Sequence, residues 1–189
     1  MNVIPISLDY LAGFQDMLAE YASEGEVYSL YSGKPGEWWN NPTEFISFWQ
    51  RLAAAPLPEL SLVQTDFFLL TDSTRILGDI CFRHSLNERL ERDGGHIGYC
   101  VRPSERNNGL ATGLLKFVLG HAYALGNEKV LLTCNKNNFA SIKVIEKNGG
   151  IFAYESVLND GSVNKRYWID LKNKVASSLE GGENTTDSI

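Results

Sequence analysis

The residues best suited to chemistry stand within one stretch, residues 96–125, HIGYCVRPSERNNGLATGLLKFVLGHAYAL. Arg106, Gly109 and Ala111 spell Arg-x-x-Gly-x-Ala shortly after an apolar run that ends Val101-Arg102-Pro103. Pro103 cannot donate to a ladder and restricts Arg102, so a strand over residues 96–101 should stop there. Ser104 to Asn108 is polar and turn-forming. From Leu110 the spacing of Leu114, Phe117, Val118, His121 and Leu125 predicts a helix, and Gly126-Asn127 supplies its stop. A strand–turn–helix junction leaves the first amides of the helix without partners, at the positive end of its dipole. With no side chain at Gly109 to crowd them, those amides form an anion site, and a phosphate fits it. The chain contains neither G-x-x-x-x-G-K-[ST] nor G-x-G-x-x-G, which excludes a nucleotide P-loop and a dinucleotide fingerprint.

Other elements must position this junction. Residues 3–6 read as a short strand, and residues 10–21 as a helix with Leu11, Phe14, Leu18 and Tyr21 on one face. Residues 24–42 are irregular and rich in glycine, proline and aromatic side chains. Thr43 reads as the N-cap of a helix over residues 44–54. Residues 60–65 read as an extended lead-in. Residues 67–71 and 75–85 pair as a hairpin, and residues 86–95 form a charged connector. After the central helix come a strand at 130–134, a helix at 139–147 closed by Asn148-Gly149-Gly150, and two strands, 151–158 and 164–171, around Asn159-Asp160-Gly161-Ser162. From Lys172 the chain is polar and without period, which predicts a disordered tail over 172–189 after a single domain over 1–171. The order predicts an α/β (α+β) architecture, a central mixed β-sheet flanked by helices.

Composition sets wide bounds. The chain has 189 residues, 43% hydrophobic and 21% charged, as in an ordinary globular protein with a real core. Its 17 basic and 23 acidic residues leave a net charge of -6, which argues against a nucleic-acid partner. Cys81, Cys100 and Cys134 are an odd number in strand-like runs, so buried free thiols are expected rather than disulfides or a zinc site. The first residues show no leader pattern and no apolar run is long enough to span a bilayer, so no membrane partner and a cytoplasmic location are expected.

The spelling at residues 106–111 resembles the pyrophosphate loop of the Gcn5-related N-acetyltransferase (GNAT) superfamily, [RQ]-x-x-G-x-[GA] between a strand and a helix. The likeness continues downstream. Asn138-x-x-Ser141-x-x-Val144-Ile145-Glu146-Lys147-Asn148-Gly149 is similar to the family's N-x-x-[AS]-x-x-[LV]-[YI]-x-K-x-G helix, and Arg166-Tyr167-Trp168-Ile169-Asp170-Leu171 to its closing strand. The resemblance covers roughly residues 2–171.

It implies an acetyl-CoA-dependent N-acetyltransferase with a primary amine acceptor, a small molecule or a peptide, no metal, and room for a homodimer. The alternative is a GNAT-fold acyl-CoA sensor without transfer activity. The strands at 96–101 and 130–134 would splay around the pantetheine arm, with the Val101 N–H on the thioester carbonyl and Cys100 beside it. Amides from Arg106 through Asn107, Asn108, Gly109, Leu110 and Ala111 to Thr112 would hold the pyrophosphate, with Arg106 adding charge. Asn138 and Ser141 would meet the arm, although Asn138 also reads as a helix N-cap. Lys147 would reach the CoA phosphates or simply face water. His96 stands near the position where many relatives carry a glutamate base, and reads either as the base or as a structural strand-end histidine. Ile145 occupies the place of the tyrosine that protonates the leaving thiolate in many relatives, which leaves Tyr154 as the substitute acid. Tyr28, Tyr31, Trp38 and Trp39 line an acceptor pocket or pack a lid.

Overall fold

Residues 1–26, 28, 41–73 and 75–172 are described by a computed structural model. Tyr31, Trp38, Trp39 and all of the predicted tail beyond Lys172 lie outside them.

The strands form two antiparallel sheets. The first runs β1 (Asn2–Pro5), β2 (Thr65–Asp72), β3 (Arg75–Arg83), β4 (Ile97–Val101), and the second places β7 (Val163–Asp170) between β5 (Lys129–Asn135) and β6 (Ile151–Val157). Alternation along β2 explains why the first sheet is covered on both sides. Phe67 and Leu69 pack with Phe14, Met17 and Tyr21 of α1 (Leu11–Ser23) and with Phe45 and Trp49 of α2 (Pro42–Ala54). Phe68 and Leu70 belong instead to the core around Leu114, Leu115 and Val118, residues of the later helix α4 (Leu110–Ala124). That second core also takes Val130 and Leu132 of β5 and Tyr167 and Ile169 of β7, so it joins the two sheets.

Two predicted details are corrected. The cap of α2 is Asn41 rather than Thr43: the Asn41 side chain accepts the Glu44 N–H at 3.2 Å, and Pro42 sits at the first helical position, where its missing N–H costs nothing. The charged connector contains a short helix, α3 (Glu88–Arg92), capped by Asn87, which accepts the Leu90 N–H at 3.0 Å. The remaining helices are α4 (Leu110–Ala124) and α5 (Phe139–Lys147), with the starts the spacing predicts.

β4 and β5 are the facing edges of the two sheets and meet at a joint. Gly95 bridges Leu132, the His96 N–H donates to the Leu131 carbonyl at 2.8 Å, and the Leu131 N–H donates to His96 Nδ1 at 2.9 Å. Beyond this joint no ladder connects β4 to β5 among the described residues, which leaves a gap between them. Gly95 is required there: its φ is +64°, and a Cβ would lie 2.4 Å from the Leu131 carbonyl oxygen.

Candidate active site

The register of β4 on β3 decides which amides face the gap. The Arg83 N–H donates to the His96 carbonyl at one end, and the Arg102 N–H to the Leu77 carbonyl at the other. Between them Asp79 pairs with Cys100 and Cys81 with Gly98. Antiparallel ladders alternate bonded and non-bonded pairs, so Tyr99 and Val101 turn their N–H and C=O groups away from β3. The Val101 N–H therefore points off the sheet edge, toward the gap. Its carbonyl is held from α1, where the Tyr21 hydroxyl donates to it at 2.8 Å.

After Val101 the chain makes a short 3-10 turn over Pro103–Glu105 and enters α4 through two left-handed residues, Asn107 at φ +63° and Gly109 at φ +78°. Gly109 is the N-cap, and no side chain caps the helix. The amides of Leu110, Ala111 and Thr112 thus keep their hydrogens for a ligand, beside the end of β4. Asn107, Asn108 and Gly109 are exposed, which leaves the loop open to a large anion.

Two hydroxyls reach across the gap. Tyr99 of β4 and Ser141 of α5 lie 2.8 Å apart. Burial pushes the Tyr99 phenol up to about 12, so it carries its proton at neutral pH. Asn138 caps α5, accepting the Ser141 N–H at 3.0 Å, so the capping reading of Asn138 holds. Asn148 donates to the Thr112 carbonyl at 3.2 Å and so ties the end of α5 to the first turn of α4. Lys147, next to it, is exposed.

The acetyltransferase (GNAT) domain family matches residues 11–151. The chain belongs to the GNAT acetyltransferases. No curated protein sequence matches it. Solved structures with the same fold include a putative acetyltransferase, yncA, of Salmonella typhimurium with acetyl-CoA, at 12% identity and a TM-score of 0.62, covering 100% of this chain and 98% of that one. An N-acetyltransferase of Staphylococcus aureus shares 18% identity at a TM-score of 0.64, covering 90% and 98%. A spermidine N-acetyltransferase of Vibrio cholerae shares 14% at 0.65, covering 94% and 99%. At these identities the likeness is one of fold.

In this GNAT chain several predicted site residues are occupied in ways the spacing did not show. His96 is buried and its Nδ1 accepts the Leu131 N–H, which places the ring proton on Nε2. Burial lowers its pKa to about 4. The imidazole is a strut of the β4–β5 joint, the structural role that its place at the strand end allowed. The Arg106 guanidinium turns away from the loop: both its terminal nitrogens bond Glu26 at 2.6 Å, and it lies over the Tyr21 ring. The Arg106 charge is therefore committed to Glu26 rather than turned toward the amides of the loop. Tyr154 sits on β6, separated from β5 by β7, half-exposed and stacked under Arg166; it is not brought to the gap. Ile145 is buried in the core against Gly150, so that position offers no acid. The thiols are free as expected, with Cys81 and Cys134 buried and Cys100 partly so.

Tyr28 is buried and its hydroxyl donates to Asp79 Oδ2 at 2.6 Å. Neither Asp79 nor Tyr21 was singled out from sequence. The signal for Asp79 was available: a carboxylate in the middle of the apolar run Arg75–Arg83. Tyr21 read as an ordinary residue on the apolar stripe of α1. No helix of the described residues is long and apolar enough to cross a membrane.

Proposed function

We propose that this GNAT protein transfers an acetyl group from acetyl-CoA directly to a primary amine, carried by a small molecule or a peptide. The observation that carries the reading is the Val101 N–H, aimed into the gap between β4 and β5 beside the uncapped amides of α4. The diphosphate of the donor would lie on the amides of residues 107–112 and its pantetheine arm would run along the gap. The thioester carbonyl would then meet the Val101 N–H, a fixed donor where negative charge develops as the amine attacks. The fit is physical: a main-chain anion site with two left-handed residues stands next to a slot bounded by two sheet edges.

The departing sulfur would emerge near Tyr99 and Ser141. Their hydroxyl pair, with the phenol held protonated by burial, supplies the proton that Ile145 cannot.

The buried Ile145 favours the second reading, a CoA-binding sensor without turnover. A thiol-release assay with acetyl-CoA separates the two, run against a polyamine, an aminoglycoside, and peptides with a free N-terminus or lysine. Release that depends on an amine supports transfer. Tight CoA binding with no release on any amine supports the sensor.

A further inference from the structure

On the opposite side of β4 from the donor loop lies a buried polar group that the reading above does not use. Asp79 is fully buried in the middle of β3. Its Oδ2 accepts the Tyr28 hydroxyl at 2.6 Å, and its Oδ1 has no hydrogen-bond partner among the described residues. Buried carboxylates without full hydrogen bonding are costly and uncommon, and they concentrate at functional sites. The neighbours are specific. Asp79 pairs in register with Cys100, the residue before Val101. Cys81, two residues along the same strand, packs in the core beneath α1 and α2, so Asp79 faces those helices. The Tyr28 ring stands edge-on to the Tyr21 ring, with centroids 5.4 Å apart, and the Tyr21 hydroxyl holds the Val101 carbonyl. Two tyrosines thus connect Asp79 to the residue at which the thioester would be attacked.

We propose that Asp79 is the proton acceptor of the transfer, receiving the proton of a cationic acceptor amine through the Tyr28 hydroxyl. This rests on the transfer reading above. The acceptor's ammonium N–H gives its proton to the Tyr28 oxygen while the Tyr28 O–H proton passes to the Asp79 carboxylate. The freed lone pair forms the C–N bond, and the carbonyl electron pair moves to the oxygen beside the Val101 N–H. Collapse breaks the C–S bond, and sulfur leaves with its electron pair and takes a proton in exchange for one lost by nitrogen. The products are the amide, the CoA thiol and a neutral Asp79, which returns its proton to water before the next turnover. Asp79 is poised for this exchange: burial raises its pKa to about 8, against the lowering effect of the Tyr28 hydrogen bond. Among the described residues the other titratable groups around it are Tyr28, Tyr21, Cys81 and Cys100. The Arg106–Glu26 pair lies beyond Tyr21, and Arg102 is held by Asp16 and Glu20. Burial raises the Tyr21 phenol and the Cys100 thiol as well, so both stay neutral where Asp79 ionises.

The test uses the amine that gives the fastest wild-type CoA release. Asp79→Asn, which keeps the shape, should lower kcat by about 100-fold or more, the range of acid–base catalysis. It should also abolish the rise of rate through about pH 8 and leave acetyl-CoA affinity within about twofold. Tyr28→Phe should lower kcat with the same loss of the limb. A wild-type rate and pH profile in Asp79→Asn overturn the proposal. Should that variant fail to fold, Tyr28→Phe decides it, a retained limb overturning the relay. If the wild type releases no CoA with any amine, the transfer reading fails instead, and the two failures are distinct.

Discussion

The two sides of β4 are built by different means. On the proposed donor side the recognition groups would be main-chain amides: Val101 at the sheet edge and the first turn of α4 behind Asn107 and Gly109. On the proposed acceptor side they would be side chains delivered from distant parts of the chain. Tyr28 meets Asp79 across 51 residues, and Tyr21 meets Val101 across 80. A site made of backbone needs only that the chain turn in one way at one place. A site made of side chains needs the whole tertiary structure to assemble it. The first tolerates wide changes of sequence around a few fixed glycines and small residues, while the second is where specificity can change without altering donor binding.

Substitutions at the joint should erase the contrast, because both sides depend on it. Gly95→Ala forces a Cβ against the Leu131 and Leu132 backbone at a left-handed φ. It should cost about 3 kcal/mol or more, read as a large fall in denaturant midpoint, and abolish CoA binding. Gly109→Glu should act on one side alone. Nothing crowds a Cβ there, but the φ is +78° and the new carboxylate competes for the anion site. Calorimetry should show CoA affinity down by about 100-fold, about 2.7 kcal/mol, with the melting temperature lowered by only a few °C through the left-handed φ.

His96→Ala should weaken the structure without touching the chemistry. It leaves the buried Leu131 N–H without an acceptor, at a cost of about 2 kcal/mol. The folded imidazole titrates near 4 against 6.5 in the unfolded chain, so the unfolded state binds the proton first. The wild type should therefore lose stability as pH falls from 6.5 to 4, and the variant should lack that part of the loss. Its pH–rate profile should match the wild type; a changed profile would restore His96 as a base.

The smallest effect should have the opposite sign. Asp79 titrates near 8 when folded against 3.8 for an ordinary aspartate, so between those values the native state holds a proton the unfolded state has lost. Its contribution to stability declines as pH rises through that window. Asp79→Asn should melt a few °C higher than wild type at pH 8 and show a smaller difference at pH 5, by differential scanning calorimetry.

The same division explains what could be read from the sequence. The strand–turn–helix junction was legible because its backbone fixes residue types at fixed spacing: Pro103 stops the strand, Gly109 takes the left-handed turn, and Leu110 starts the helix. The helices with a clear apolar period were placed closely, and α5 matches its predicted span. Helix α3 was hidden because five mostly charged residues show no period. The cap of α2 shifted from Thr43 to Asn41 because Pro42 suits the first helical position, so the helix begins two residues earlier. The side-chain roles were least legible. Spacing put His96 near the expected base position but could not show that its Nδ1 closes the joint. Nothing local in the spelling links Arg106 to Glu26. Asp79 was visible as a charge in an apolar strand, but its meaning came only with Tyr28 beside it.

In the reading proposed here, the amides of α4's first turn and of Val101 hold the donor. Titrating the 15N-labelled protein with CoA and acetyl-CoA tests it amide by amide. Gly109, Leu110, Ala111 and Thr112 should shift with both ligands, and Val101 should shift further with acetyl-CoA than with CoA. Shifts that cluster elsewhere while these amides stay still would contradict it.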